Sequence, residues 1–579
     1  MANLLVSMLD ETRIRRWLLA AVLLSALGLL VRCVPVAAQE TKPVPAMDSE
    51  PAALLKEADE QFRKGAFDKA ITQYNHILKS GMLTAEAYAG IVRCYLKQED
   101  PNAASETMEK ALQAKPADPS LKVAQAELLF RQGKIFDAEK IFVQVINAGK
   151  APARAYLGLS RISAASGQYA REHRLIVKAH DLDPADPDLQ KWWMGTLPRR
   201  DRINFLESYL AEPHGDDPDT QRGLREYLEI LRARQERPGA ACHLASDVTT
   251  TEIELLPLQT DAQHLRGVGL PVVINGQKSK LMLDTGAGGI TINRALAARA
   301  GVQRIAEEGI GGIGDKGAAK GYAAYADSIR VGKLEFRNCF VDVVDKGSVV
   351  DEEGLIGADV FQQFLIELDF PKRKLNLSQL PARPGESPVK PSLATDGDEA
   401  AFEPDPKAAG NNAQGGSPAP ARKYFDRFLG PEMKGYEGVL RFGHMLLVNT
   451  KVNEVTGKLF LIDSGAFDNA ITPDAAREAS KVHRTSVVGV KGVSGEVNNV
   501  YVTGSVVLEF AGWRQPNIDI VSFDLSNTSR STGTEVSGLI GFAVLNTLNL
   551  KINYRDVLVK FEYVLRPTNH YRGIDGTQH

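Results

Sequence analysis

The chain has 579 residues with 69 basic and 72 acidic side chains, a net charge of −3, 44% hydrophobic and 24% charged residues. That length predicts roughly three to five domains, because single hydrophobic cores stop growing well short of it. The near-neutral charge leaves no electrostatic footprint for nucleic acid or an anionic membrane. Of four cysteines, Cys33 lies in the leader, and Cys94, Cys242 and Cys339 are widely spaced and odd in number, which argues against a disulfide framework. Neither Cys-x-x-Cys nor His-Glu-x-x-His occurs, so no metal and no cofactor is expected.

Residues 1–38 read as an export signal. Arg13, Arg15 and Arg16 precede an apolar run at 17–31, and Ala37 and Ala38 stand before Gln39. The run is short for a membrane span, so cleavage is expected, with an uncleaved N-terminal anchor as the alternative. Either way the remainder is expected to be exported, periplasmic or secreted, with no integral membrane domain beyond this segment.

Residues 52–237 are helical and repetitive. Gly65, Glu99, Gly133 and Gly167 recur every 34 residues, Ala70, Ala104 and Ala138 keep the same register, and Pro116 and Pro184 close repeats. This period, with small residues at helix crossings, resembles the tetratricopeptide repeat. The resemblance implies an all-α array whose groove binds a protein partner or substrate; a rigid spacer is the alternative. Trp192 and Trp193 at its end read as core.

After Pro238 the pattern turns to short β-rich runs punctuated by glycine. Two such segments, 238–380 and 423–565, flank a stretch at 381–422 rich in Pro, Gly, Ala and acids, which reads as a flexible linker; 566–579 form a tail. The β segments are duplicates. Each has an apolar strand ending in Asp-Thr/Ser-Gly-Ala, at Asp284 and at Asp463, then a glycine-rich turn, then Gly-Leu-Ile-Gly at 354–357 and 538–541. The turn GIGGIG lacks a βαβ context and is not a dinucleotide fingerprint.

At these residues the chain resembles the retropepsin-like aspartic proteases, over about half its length. The resemblance implies two all-β acid-protease lobes, with Asp284 and Asp463 as the catalytic pair. Thr285 and Ser464 would hydrogen-bond across the lobes, and Gly286 and Gly465 would turn N–H groups toward the carboxylates. Gly311, Gly312, Ile313 and Gly314 would form one flap, and Gly492 and Val493 the other. Two carboxyl groups held together share a proton, so one can activate water while the other protonates a carbonyl. Lys491 and Ser494 depart from the family's flap, and Asp359 stands where the retroviral enzymes carry arginine, so the usual internal ion pair is not expected. Ala287 and Ala466, where acid-acting relatives carry a hydroxyl, favour a pH optimum nearer neutral. His444, His483 and Asp468 read as structural or solvated.

The leading expectation is an exported aspartic endopeptidase acting on a protein or peptide substrate, built within one chain, with a homodimer of like lobes as the alternative. A catalytically inactive peptide-binding module and an envelope scaffold run by the repeats are the competing classes.

Overall fold

The computed structural model describes residues 50–115, 117–236, 242–259, 265–344, 352–384, 424–485 and 488–563. The leader, the C-terminal tail and nearly all of the linker fall outside them.

Eleven helices fill 50–235: α1 (Glu50–Arg63), α2 (Phe67–Ser80), α3 (Thr84–Lys97), α4 (Pro101–Ala114), α5 (Pro119–Arg131), α6 (Ile135–Asn147), α7 (Ala153–Ala165), α8 (Tyr169–Leu182), α9 (Pro187–Met194), α10 (Arg199–Leu210) and α11 (Pro218–Gln235). The 34-residue period has a direct packing cause. A methyl group placed on Gly90 would lie 2.3 Å from the Tyr74 ring, and one on Gly158 would lie 2.2 Å from the Phe142 ring. Tyr74 and Phe142 therefore each need a bare backbone on the next helix. Asp-Pro pairs start four of the helices: Asp100, Asp118, Asp186 and Asp217 accept from backbone N–H groups of the first turn, and the following proline occupies a position whose N–H has no partner to lose.

The two β lobes are built alike. In lobe 1 the strand Gln277–Asp284 lies between the antiparallel strand Leu265–Ile274 and the parallel strand Gly354–Gly357, with Gly357 beside Asp284. In lobe 2 Val455–Ile462 lies between Met445–Val452 and the parallel Gly538–Ile540. Three-stranded cores of this kind bury both faces, hence their nearly unbroken apolar sequence. One sheet joins the lobes, in the order Glu437–Gly438, Leu558–Tyr563, Leu548–Asn553, Phe364–Asp369, Lys374–Gln379, Thr251–Glu254. At its centre Leu368 faces Leu550 and Ile366 faces Ile552, all fully buried.

The array is fused to lobe 2. Phe130, Phe142, Leu159 and Ile162 share one apolar cluster with Leu447, Leu459, Leu461 and Leu539. At its edge the Glu535 N–H donates to the Arg131 carbonyl at 2.9 Å, and Arg530 forms a two-pronged ion pair with Glu99 at 2.6 and 2.9 Å. The far end of the array reaches lobe 1, where α11 sets Arg234 over the Phe340 ring at 4.2 Å.

Two of the widely spaced cysteines are bonded, against the sequence expectation. Cys242 and Cys339 form a disulfide across 97 residues, tying the entrance of lobe 1 to its strand Leu334–Val344, while Cys94 is buried in the array. The odd count misled because the third cysteine belongs to a different domain. Pro381 and Arg383, read as the start of the linker, are held by lobe 2: Arg555 donates to the Pro381 carbonyl at 2.6 Å, and Arg383 pairs with Asp556 at 2.6 Å.

Candidate active site

Asp284 and Asp463 each end an apolar strand at the boundary between the lobes, and their loops are laced together. The Thr285 hydroxyl donates to the Ile462 carbonyl at 2.8 Å and accepts from the Ser464 N–H at 2.9 Å. The Ser464 hydroxyl reciprocates, donating to the Leu283 carbonyl at 3.0 Å and accepting from the Thr285 N–H at 3.0 Å. All four bonds lie in buried surroundings, where a lost partner is most costly.

Within each loop two N–H groups aim at one carboxylate oxygen. Gly286 and Ala287 donate to Asp284 Oδ1 at 2.8 and 3.2 Å, and Gly465 and Ala466 donate to Asp463 Oδ1 at 2.9 and 3.0 Å. The glycines are also required by the opposite lobe. A methyl on Gly465 would lie 2.3 Å from Asp284 Oδ2, and one on Gly286 would lie 2.8 Å from the Asp463 carboxyl carbon. The two carboxyl groups hydrogen-bond each other. Burial, then the charge of Asp463, holds Asp284 well above the usual carboxylate range. Asp463 is raised by burial but eased back by the Ala466 N–H and by the bond from Asp284. Both acids are thus raised together, and the pair as a unit holds a proton above the usual carboxylate range.

Two hairpins meet above the pair. Flap strands Gln303–Ile310 and Ala319–Val331 carry Gly311, Gly312, Ile313 and Gly314 at their turn, and Lys491–Gly492 and Gly495–Glu496 carry Val493 and Ser494 at theirs. The tips interlock: the Ser494 N–H donates to the Ile313 carbonyl at 3.0 Å, and the Lys316 N–H donates to the Ser494 carbonyl at 3.0 Å. Gly314 at φ 133° and Gly495 at φ 97° take conformations that side chains avoid. Ser494 meets the other flap through its backbone, so its departure from the family pattern leaves that contact intact. Lys491 is exposed.

Below the flaps lies a cavity of about 2140 Å³ lined by both aspartates, by Gly312 and Val493, and by Tyr169 and Trp192 of the array. That the helices form part of the cleft wall has no signal in the repeat pattern. Trp192 donates to Ser160 and Glu172 at 3.1 and 3.2 Å, while Trp193 stacks on His180. The walls beside the two acids differ: Gly288 and Gly289 follow one loop, Phe467 and Asp468 the other, with Phe467 48% exposed.

Two residues here make contacts that the sequence reading did not foresee. His444 reads as a strand or loop surface residue, yet its ring is partly buried between the lobes, with Nε2 3.1 Å from the Gly286 carbonyl oxygen. Asp359 accepts from the Gly289 N–H at 3.0 and 3.2 Å. A single histidine without a neighbouring motif carries no sequence signal of such a contact.

Comparison with known proteins fits part of this architecture. The family described as aspartyl protease matches residues 270–360, within lobe 1. No relative was found among curated proteins. Among solved structures, a retropepsin-like aspartic protease from Rickettsia conorii is 20% identical and covers 22% of this chain and 92% of its own, with a TM-score of 0.18. A thermophilic TPR protein of Thermus thermophilus is 16% identical over 31% of this chain and 98% of its own, with a TM-score of 0.24. Pseudomonas aeruginosa pilF is 14% identical over 32% of this chain and 86% of its own, with a TM-score of 0.22.

Proposed function

We propose that this chain is an aspartic endopeptidase that acts outside the cytoplasm on extended polypeptide. The observation that carries the reading is the meeting of Asp284 and Asp463, from two duplicated lobes of one chain, each against the other's glycine loop and each held above the usual carboxylate range. A water molecule between the carboxyl groups gives a proton to Asp463 as its oxygen attacks the scissile carbonyl carbon, and Asp284 gives its proton to the carbonyl oxygen. The resulting gem-diol returns a proton to Asp284, the C–N bond breaks, and the leaving nitrogen takes the proton held by Asp463. The joined flaps favour an extended substrate strand over a folded surface, and the array wall offers it further contacts.

Export is supported by the basic and apolar leader at 13–31 and by the Cys242–Cys339 disulfide, a bond that persists mainly in oxidising compartments. The mature protein is expected to begin near Gln39; full-length chain in washed membranes would point to an anchor instead.

Asp284→Asn and Asp463→Asn test the site. Each is expected to lower cleavage of labelled casein by at least about 100-fold, the scale of a lost general acid or base. Mixing the two variants should restore nothing, since neither chain holds both acids. Substantial activity in both single variants would favour sites formed between like lobes of two chains. Full activity in the double variant would remove the protease reading and leave a peptide-binding module.

A further inference from the structure

His444 belongs to lobe 2, at the turn between strands Leu440–Phe442 and Met445–Val452, but its ring lies against lobe 1. Nε2 is 3.1 Å from the Gly286 carbonyl oxygen, and a methyl on Gly288 would lie 2.5 Å from Nδ1. A carbonyl oxygen only accepts, so Nε2 carries the hydrogen and donates. The Gly286 carbonyl shares its peptide unit with the Ala287 N–H, which donates to Asp284 Oδ1 at 3.2 Å. One chain of hydrogen bonds therefore runs from His444, through a single amide, to a carboxyl group of the pair. Such chains polarise their members, so a donor at the carbonyl strengthens the N–H at the other end.

The far side of the same loop is fixed within lobe 1: Asp359 accepts from the Gly289 N–H, and the Gly357 N–H donates to the Gly289 carbonyl at 2.7 Å. Lobe 2 differs at the matching place. Strand pairing sets Leu270 opposite Leu281 and Val448 opposite Phe460, three residues before each acid, so Arg266 holds the position of His444. Arg266 turns to Glu352 at 4.0 Å.

We propose that His444 is a positioning residue for the aspartate pair: reaching across from lobe 2, it holds the Gly286–Ala287 peptide so that the Ala287 N–H supports the Asp284 carboxyl group. This rests on reading the pair as the reacting acids. The first lobe's acid is then fully supported only when the second lobe is docked. The charged groups around the ring are Asp359, Arg441 and Asp463. Burial holds its pKa below the usual histidine value despite Asp359, so near neutral pH it is an uncharged donor.

The test uses the full chain with His444→Ala, His444→Met, which fills the space without a donor, and His444→Gln, whose amide can donate to the same carbonyl. The pair's titration is followed by carboxyl NMR of protein labelled with ¹³C-aspartate, with Asp284→Asn and Asp463→Asn assigning the signals. In the donorless variants the shared proton is expected to be held to higher pH, by about half to one unit, because a hydrogen bond to the charged form is weakened. Casein cleavage should fall about tenfold in kcat with little change in KM, as for a donor felt mainly at the reacting carboxyl group. His444→Gln should restore both. A wild-type titration in the donorless variants, or a glutamine variant as displaced as alanine, overturns the proposal. So does a set in which neither donorless variant folds and glutamine does, which makes the contact a matter of stability alone. The titration needs no turnover, so a wild-type protein that cleaves nothing would count against the protease reading without deciding this one.

Discussion

Burying two acids side by side stores a cost that pH should reveal. Asp284 is held well above its unfolded pKa by burial and by Asp463. A raised carboxyl contributes its full stability below the unfolded value of about 3.9 and loses it as pH rises through the folded value. Asp284→Asn removes that loss. It is therefore expected to raise the unfolding free energy at pH 7, by ~1.4 kcal/mol for every pH unit that separates the folded titration from the unfolded one, and to give little or nothing near pH 3, as read by denaturant unfolding. Equal effects at both pH values would contradict the shared-proton geometry. The same residues bear on the rate profile. Ala287 and Ala466 offer the carboxylates backbone N–H groups but no hydroxyl, so casein cleavage is expected to peak nearer neutral pH than pH 2–3. Both acids and their immediate neighbours were legible in the sequence because the phrase occurs twice. His444 was not: its contact exists only once two lobes, far apart in the chain, have closed on each other.

Among the elements, the first flap carries a second carboxyl pair. Glu308 on the flap strand faces Gly321, and Asp342 on Leu334–Val344 faces Ala323, all on one side of the sheet. The small residues between them let the acids hydrogen-bond across a whole strand. Burial, then Glu308, holds Asp342 well above the usual range; burial also raises Glu308, with Glu226 adding to this and Arg234 opposing it from α11. The charge of Asp359 adds a smaller upward push on Asp342. By the same sign, this pair steadies the flap strand at low pH and does so less as pH rises through the raised values. Amide-exchange protection of Gln303–Ile310 should therefore fall on going from pH 5 to pH 8 in the wild type and stay flatter in Asp342→Asn. Protection that falls equally in both would exclude the pair as the cause. The hairpin itself was readable from its glycines. The acid pair was not, since it depends on a register that sequence alone leaves open.

At the scale of the molecule, the array is less separable than its sequence suggests. Its 34-residue period marks it as an independent unit, and deleting it is the obvious way to ask whether it matters. Yet Phe130, Phe142 and Leu159 lie in one cluster with Leu459 and Leu539 of lobe 2, and Tyr169 and Trp192 wall the cleft. Removing residues 52–237 would strip apolar cover from the strand before Asp463. The truncated protein is expected to aggregate or to unfold at a markedly lower temperature, not to persist as a protease lacking an accessory. A soluble fragment of 238–579 with wild-type cleavage would show the shared core to be dispensable. Periodicity reveals how repeats pack on one another and is silent about which of their faces another domain will take.

The sheet between the lobes also sets a clock. Domains of a growing chain fold roughly as they emerge, N-terminal portions first. Lobe 1 is made while its strand Phe364–Asp369 still lacks its neighbour Leu548–Asn553, which is synthesised long after Asp284 and well after Asp463. Until that strand arrives, a nascent molecule holds only half of the sheet that joins the lobes, the sheet on which the grip of Thr285 on Ser464 depends. On the proposed reading, a complete site forms only once the last strands of lobe 2 have been made. An incomplete chain, whether still being made or still being exported, therefore carries two separated acids and no site.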